Sequence, residues 1–174
     1  MKKMYVLSVL ALALCLLLAG CGGGNGGESG GASSGTSSGG QAGEGGFVFT
    51  YKGAQIQMHA PAQPVLDALG AAKSTYEEPS CAYQGMDVFY NYGSIELAVY
   101  TDEGQKNILS VYLRDDTVST AEGLSIGDDA AKVETLYGSA GKTETGSYSF
   151  SKGKSKLNIV IENEKVKSIE YSGV

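Results

Sequence analysis

Few side chains in this 174-residue sequence are suited to chemistry. His59 is the sole histidine, and Cys81 is the one cysteine outside an N-terminal stretch that holds Cys15 and Cys21. A thiolate nucleophile needs a base within hydrogen-bond reach, and nothing in the spacing of Cys81 and His59 draws them together. No Gly-x-Ser-x-Gly turn offers an alternative nucleophile. The expectation is a capping or surface His59 and a buried, inert Cys81, since free cysteine is among the most buried residue types. Zinc wants Cys and His in paired spacings, and neither pair occurs. Asp115, Asp116, Glu122, Asp128 and Asp129 concentrate acid in mid-chain. Their order does not match a twelve-residue calcium loop, so they read as hydrated or helix-capping groups. The chain is therefore expected to be no enzyme and to hold no metal and no cofactor.

Tyrosines are the remaining candidates. Tyr83, Tyr90, Tyr92, Tyr100 and Tyr112 crowd the first half of the chain, with Tyr76 beside them. Tyrosine offers large contact area and a polar tip at low entropy cost, so these five are read as a binding surface, the alternative being rings that cover a sheet or pack under the helix. If Leu97 and Val99 face a core, Tyr100 points the other way, as does Tyr112 between Val111 and Leu113. Residues 80–86 form an extra segment next to these rings, and such a loop is where specificity is expected.

The elements that must position them follow from periodicity. Phe47, Phe49 and Tyr51 alternate, Lys52-Gly53 turns the chain, and Ala54, Ile56 and Met58 resume. Ile95, Leu97 and Val99 share one face. Leu109, Val111 and Leu113 are expected to share one face, with Ile108, Ser110 and Tyr112 opposite. Leu157, Ile159 and Ile161 alternate, then Val166, Ser168 and Glu170 oppose Lys167, Ile169 and Tyr171. Two short helices are expected. One carries Val65, Leu66 and Leu69 after Pro61 and Pro64 and stops at Gly70; the other carries Val133, Leu136 and Tyr137 and stops at Gly138. Asp128 can accept from orphan N–H groups at the start of the second. Displacing the chain by 68 positions superimposes the two: Ile56 on Leu124, Ala62 on Ala130, Val65 on Val133, Gly70 on Gly138. The expected class is α+β: two tandem units of helix plus antiparallel sheet, about 47–118 and 119–174.

Two tandem units of short helix, Gly and antiparallel strands resemble the β-lactamase-inhibitor-protein fold and the SmpA/OmlA lipoproteins. The stretches Pro79-Ser80-Cys81-Ala82-Tyr83-Gln84-Gly85 and Asp115-Asp116-Thr117-Val118-Ser119-Thr120-Ala121-Glu122-Gly123 are similar to a group of uncharacterised Gram-positive lipoproteins. The resemblance implies architecture and assigns no functional residues.

The N-terminus supplies a location. Lys2 and Lys3 precede an apolar run from Tyr5 to Leu18, too short for a spanning helix and closed by small residues. Leu18-Ala19-Gly20-Cys21 resembles the bacterial lipobox, which implies removal of residues 1–20 as a signal peptide and acylation of Cys21. Two acyl chains, at about 0.8 kcal/mol per buried CH₂, anchor stably where one is marginal. Residues 21–46 then form a Gly/Ser-rich tether with no large apolar side chain, expected to be disordered and to span roughly 25–30 Å. The folded part is residues 47–174. Without Lys2 and Lys3, 11 cations face 19 acids, a net charge near −8. So acidic a chain excludes nucleic acid and makes anionic lipid a poor partner. The expectation is a lipid-anchored protein on the outer side of the cell membrane, held in the bilayer through Cys21. It would bind a protein or an envelope polymer, or alternatively inhibit a secreted enzyme.

Overall fold

The computed structural model describes residues 45–174; the expected signal segment, Cys21 and most of the expected tether lie outside the described residues. Strands β1 (Val48–Tyr51) and β2 (Ala54–Gln57) make a hairpin of their own. Strands β3 (Ser74–Pro79), β4 (Met86–Asn91), β5 (Ile95–Asp102), β6 (Gln105–Leu113), β7 (Tyr148–Lys152), β8 (Ser155–Glu162) and β9 (Lys165–Gly173) follow. These seven form one antiparallel sheet in the order β3-β4-β5-β6-β9-β8-β7. Helices α1 (Gln63–Leu69) and α2 (Ala130–Tyr137) have seven and eight residues and do end at Gly70 and Gly138.

This overturns the expected α+β pair of helix-plus-sheet units. The protein is sheet-rich, and its strands do not separate into two sheets. β6 pairs with β9 from Ser110↔Ser172 to Leu113↔Ile169, which fuses the strands of both halves. The physical reason is edge satisfaction: apart, β6 and β9 would each expose a row of unpaired backbone groups, and pairing satisfies both. Helices of two turns cannot sustain a unit alone and serve as covers for the sheet.

What recurs is a hydrogen-bond pattern. His59 N–H donates to Ile108 O at 2.8 Å and Gly127 N–H to Val166 O at 2.8 Å. Ile108 N–H donates to Ala60 O, and Val166 N–H to Asp128 O. Ala62 N–H donates to Lys106 O, and Ala130 N–H to Glu164 O. Each helix is thus led in by a short segment bonded in the sheet plane beside β6 or β9. At the position that Gly127 fills with φ 88°, His59 holds φ 62°. The left-handed region costs a side chain that glycine lacks, although histidine is among the residues enriched there.

The core lies on one side of the sheet. A row of buried residues crosses it as Ile95, Leu113, Ile169, Ile159 and Tyr148, in register. Phe49, Ile56 and Met58 from the hairpin, Val65 from α1, and Leu124 and Val133 around α2 close over it. Strict alternation fails at two bulges. Val99 faces Ile108 and Ala98 faces Ser110, so Leu109 is extra; Ile161 faces Val166 and Val160 faces Ser168, so Lys167 is extra. Each bulge inverts the parity of what precedes it. Ile108 and Val166 are therefore buried, the reverse of the strict alternation expected for those strands.

Candidate functional site

On the opposite face of the sheet most side chains are half-buried or exposed, while Ala98, Tyr100 and Asp87 are buried. Its side chains follow from register. One row runs Ser74, Asn91, Glu96, Tyr112, Glu170, Asn158, Ser149 across all seven strands. The next runs Tyr76, Phe89, Ala98, Ser110, Ser172, Lys156, Ser151. Small side chains at 98, 110 and 172 leave the middle of this face low, between an aromatic group on β3–β4 and the ring of Tyr112.

The aromatic group is fixed by polar contacts. Tyr76 stacks on Phe89 with centroids 4.7 Å apart, and its hydroxyl donates to Glu96 Oε1 at 3.2 Å. Arg114 Nη1 donates to the other Glu96 oxygen at 2.7 Å. Burial, with the Glu96 carboxylate, raises the Tyr76 hydroxyl above its ordinary range. Tyr112 is 38% exposed in the same row as Glu96 and Glu170. Burial raises the Glu170 carboxyl, while hydrogen bonds to Ser110 and Asn158 pull the other way. This side is therefore a preformed polar and aromatic surface, with Glu96 and Glu170 held by neighbours.

A second cluster sits where residues 80–85 fold back. The Tyr83 ring stacks on Tyr100 with centroids 3.8 Å apart. Tyr100 is 5% exposed, and its hydroxyl lies 3.0 Å from His59 Nδ1. Burial first, then the hydrogen bond with Tyr83, pushes the Tyr100 hydroxyl up to about 12. His59 Nε2 is buried against Gly173 without a hydrogen-bond partner. Asp87 Oδ1 on β4 is also buried and without one.

The five tyrosines expected to share a surface divide. Tyr112 is on the open face; Tyr83 caps Tyr100 and covers it. Tyr92 is buried in the core at 6% exposure and Tyr90 packs against that core, opposite Leu97 on the covered side. Three residues of the open face were not singled out as a surface from sequence, Phe89, Glu96 and Glu170, and Tyr76 was named only beside the five. Parity alone could have found Glu170, which lies between the inward Ile169 and Tyr171.

Cys81 is exposed, contrary to the expectation of burial, because the loop carrying it is held by Tyr83 and leaves its other side chains outside. Neither nitrogen of His59 is free to serve it: Nδ1 is bonded to Tyr100 and Nε2 faces Gly173. The acids fall into local roles. Asp128 accepts from Ser125 N–H at 2.7 Å and Lys132 Nζ at 2.8 Å, which lowers its carboxyl. Asp129 pairs with Lys165 at 2.6 Å, Asp115 accepts from Thr117, and Glu122 accepts from the Tyr137 hydroxyl. Among the described residues no group of three or more His, Cys, Asp or Glu is placed to hold a metal ion. Comparison with protein-family models, with curated proteins and with solved structures finds no match to this chain.

Proposed function

We propose that the protein is a lipid-anchored binding module on the outer side of the cell membrane, meeting a protein or an envelope polymer with the open face of its sheet. The observation that carries the reading is the asymmetry of that sheet. One side is closed by the hairpin and both helices, while the other presents Tyr112, the Tyr76–Phe89 stack and the Glu96–Arg114 pair to solvent. Large rigid rings beside oriented polar groups are the composition of recognition surfaces. The anchor half rests on Leu18-Ala19-Gly20-Cys21. Recovery of partners from envelope extracts by the full chain tests the face: Tyr76→Ala with Tyr112→Ala is expected to lose them, and equal recovery would remove this face as the binding surface. An acyl mass on Cys21, lost with release of the chain in Cys21→Ser, tests the anchor.

A further inference from the structure

The net charge near −8 conceals a basic corner. The tip of the β7–β8 hairpin carries Lys152 at the end of β7, Lys154 in the turn and Lys156 at the start of β8, all exposed, so three of the 11 basic residues after Cys21 lie within five positions. Lys156 belongs to the open-face row; Lys152 lies on the opposite side, where its ammonium sits 5.8 Å from the Phe47 ring centroid. The hairpin tip is also where the tether joins the domain. Phe47 N–H donates to Ser155 Oγ at 2.8 Å, and a side chain on Gly46 would strike that same oxygen. Apolar residues flank the lysines: Val48 is 40% exposed, and Val174, whose N–H donates to Lys154 O, is 59% exposed. The matching end of the opposite sheet edge is acidic, with Glu77 and Glu78 exposed on β3.

We infer that this corner, Lys152, Lys154 and Lys156 around the tether junction, docks on anionic lipid headgroups and sets the orientation of the domain on the membrane. The inference rests on the anchored reading for its geometry. Each lysine near an anionic surface strengthens attachment by about fivefold within a Debye length, so Lys152 and Lys156 by themselves give about twenty-fivefold. That is weak for a free protein. It suffices for a tethered one, because a linker reaching roughly 25–30 Å holds the corner at high effective concentration. The acidic edge at β3 is repelled by the same surface, so the two corners turn the domain the same way. Docking here leaves the β3–β4 side of the open face, with Tyr76 and Phe89, farthest from the bilayer.

The test uses the full chain reconstituted in vesicles, with Cys81→Ser and a fluorophore on Ser151→Cys, and a quencher on the lipid headgroups. Quenching is expected in phosphatidylglycerol vesicles at low salt. It should fall to the phosphatidylcholine level at high salt, or with Lys152→Gln, Lys154→Gln and Lys156→Gln together. Unchanged near-ultraviolet circular dichroism would establish that the triple variant is folded. Equal quenching on both lipids, or in the triple variant, would overturn the inference. Quenching that follows protein density, not lipid charge, would assign the corner to a second copy and overturn it too. The mass of the Cys21 peptide is read separately: acylation without docking removes the corner, and docking without acylation removes the anchor.

Discussion

Gly173→Ala should destabilise the protein through one ring. A Cβ at 173 would lie 2.5 Å from His59 Nε2 and 2.6 Å from Cε1. An ordinary carbon contact needs about 3.5 Å, so the imidazole must retreat by about 1 Å. It has little room. On its other side Nδ1 is 3.0 Å from the Tyr100 hydroxyl, and Tyr100 is backed by Tyr83 at 3.8 Å. The overpacking costs about 1–3 kcal/mol, and stretching the Tyr100 hydrogen bond about 1 more. We expect a loss of about 2–4 kcal/mol. The backbone at 173 is not in the left-handed region, and alanine is no worse than glycine in a strand, so crowding is the only source. Urea unfolding followed by near-ultraviolet circular dichroism measures it. In a His59→Ala background the same substitution should cost under about 0.5 kcal/mol, because the double-mutant cycle removes the shared contact. A Gly173→Ala protein as stable as the parent would refute the wedge, as would an equal loss in both backgrounds.

The tyrosines should separate by stability: Tyr92→Ala should cost about 3–5 kcal/mol as a core truncation, and Tyr112→Ala under about 0.5 kcal/mol, both by thermal melting. Gly138→Ala should cost about 1–3 kcal/mol, because φ 78° and ψ 176° lie in a region essentially confined to glycine, read by urea midpoint. Asp128→Ala should lose about 1 kcal/mol at neutral pH. The Asp128 carboxyl is lowered by folding, so its contribution is present above its ordinary value of 3.8 and disappears as pH falls through the folded value; parent and variant should converge in acid. Tyr100 is raised from 10.0 to about 12, so its contribution is present below pH 10 and lost as pH rises to about 12; Tyr100→Phe should flatten that part of the alkaline stability profile.

The local elements were legible from the order of residues alone. Alternation around Lys52-Gly53 became the β1–β2 hairpin, and Asn163-Glu164 became a tight loop with both residues at positive φ, as a two-residue hairpin loop requires. Gly70 and Gly138 ended the helices because a reversal of φ is a one-residue property. The tyrosines on β5 and β6 were legible for the same reason: Tyr100 and Tyr112 alternate with Leu97, Val99, Val111 and Leu113.

The remaining features came from contacts between distant segments. That β6 bonds to β9 depends on two edges far apart in sequence, each able to pair with any free strand. Leu109 and Lys167 are bulge residues because partner strands are one residue shorter there, and a single insertion reverses a period of two. Tyr90 and Tyr92 face the core because β4 aligns with Leu97 and its neighbours, a register no property of β4 alone specifies. The three lysines at the tip of the β7–β8 hairpin acquired a location when Ser155 bonded to Phe47, over a hundred residues earlier in the chain. Periodicity and φ preference are local and survive in a string of letters; edge pairing, register and proximity are relations between distant segments, fixed by the core they jointly bury.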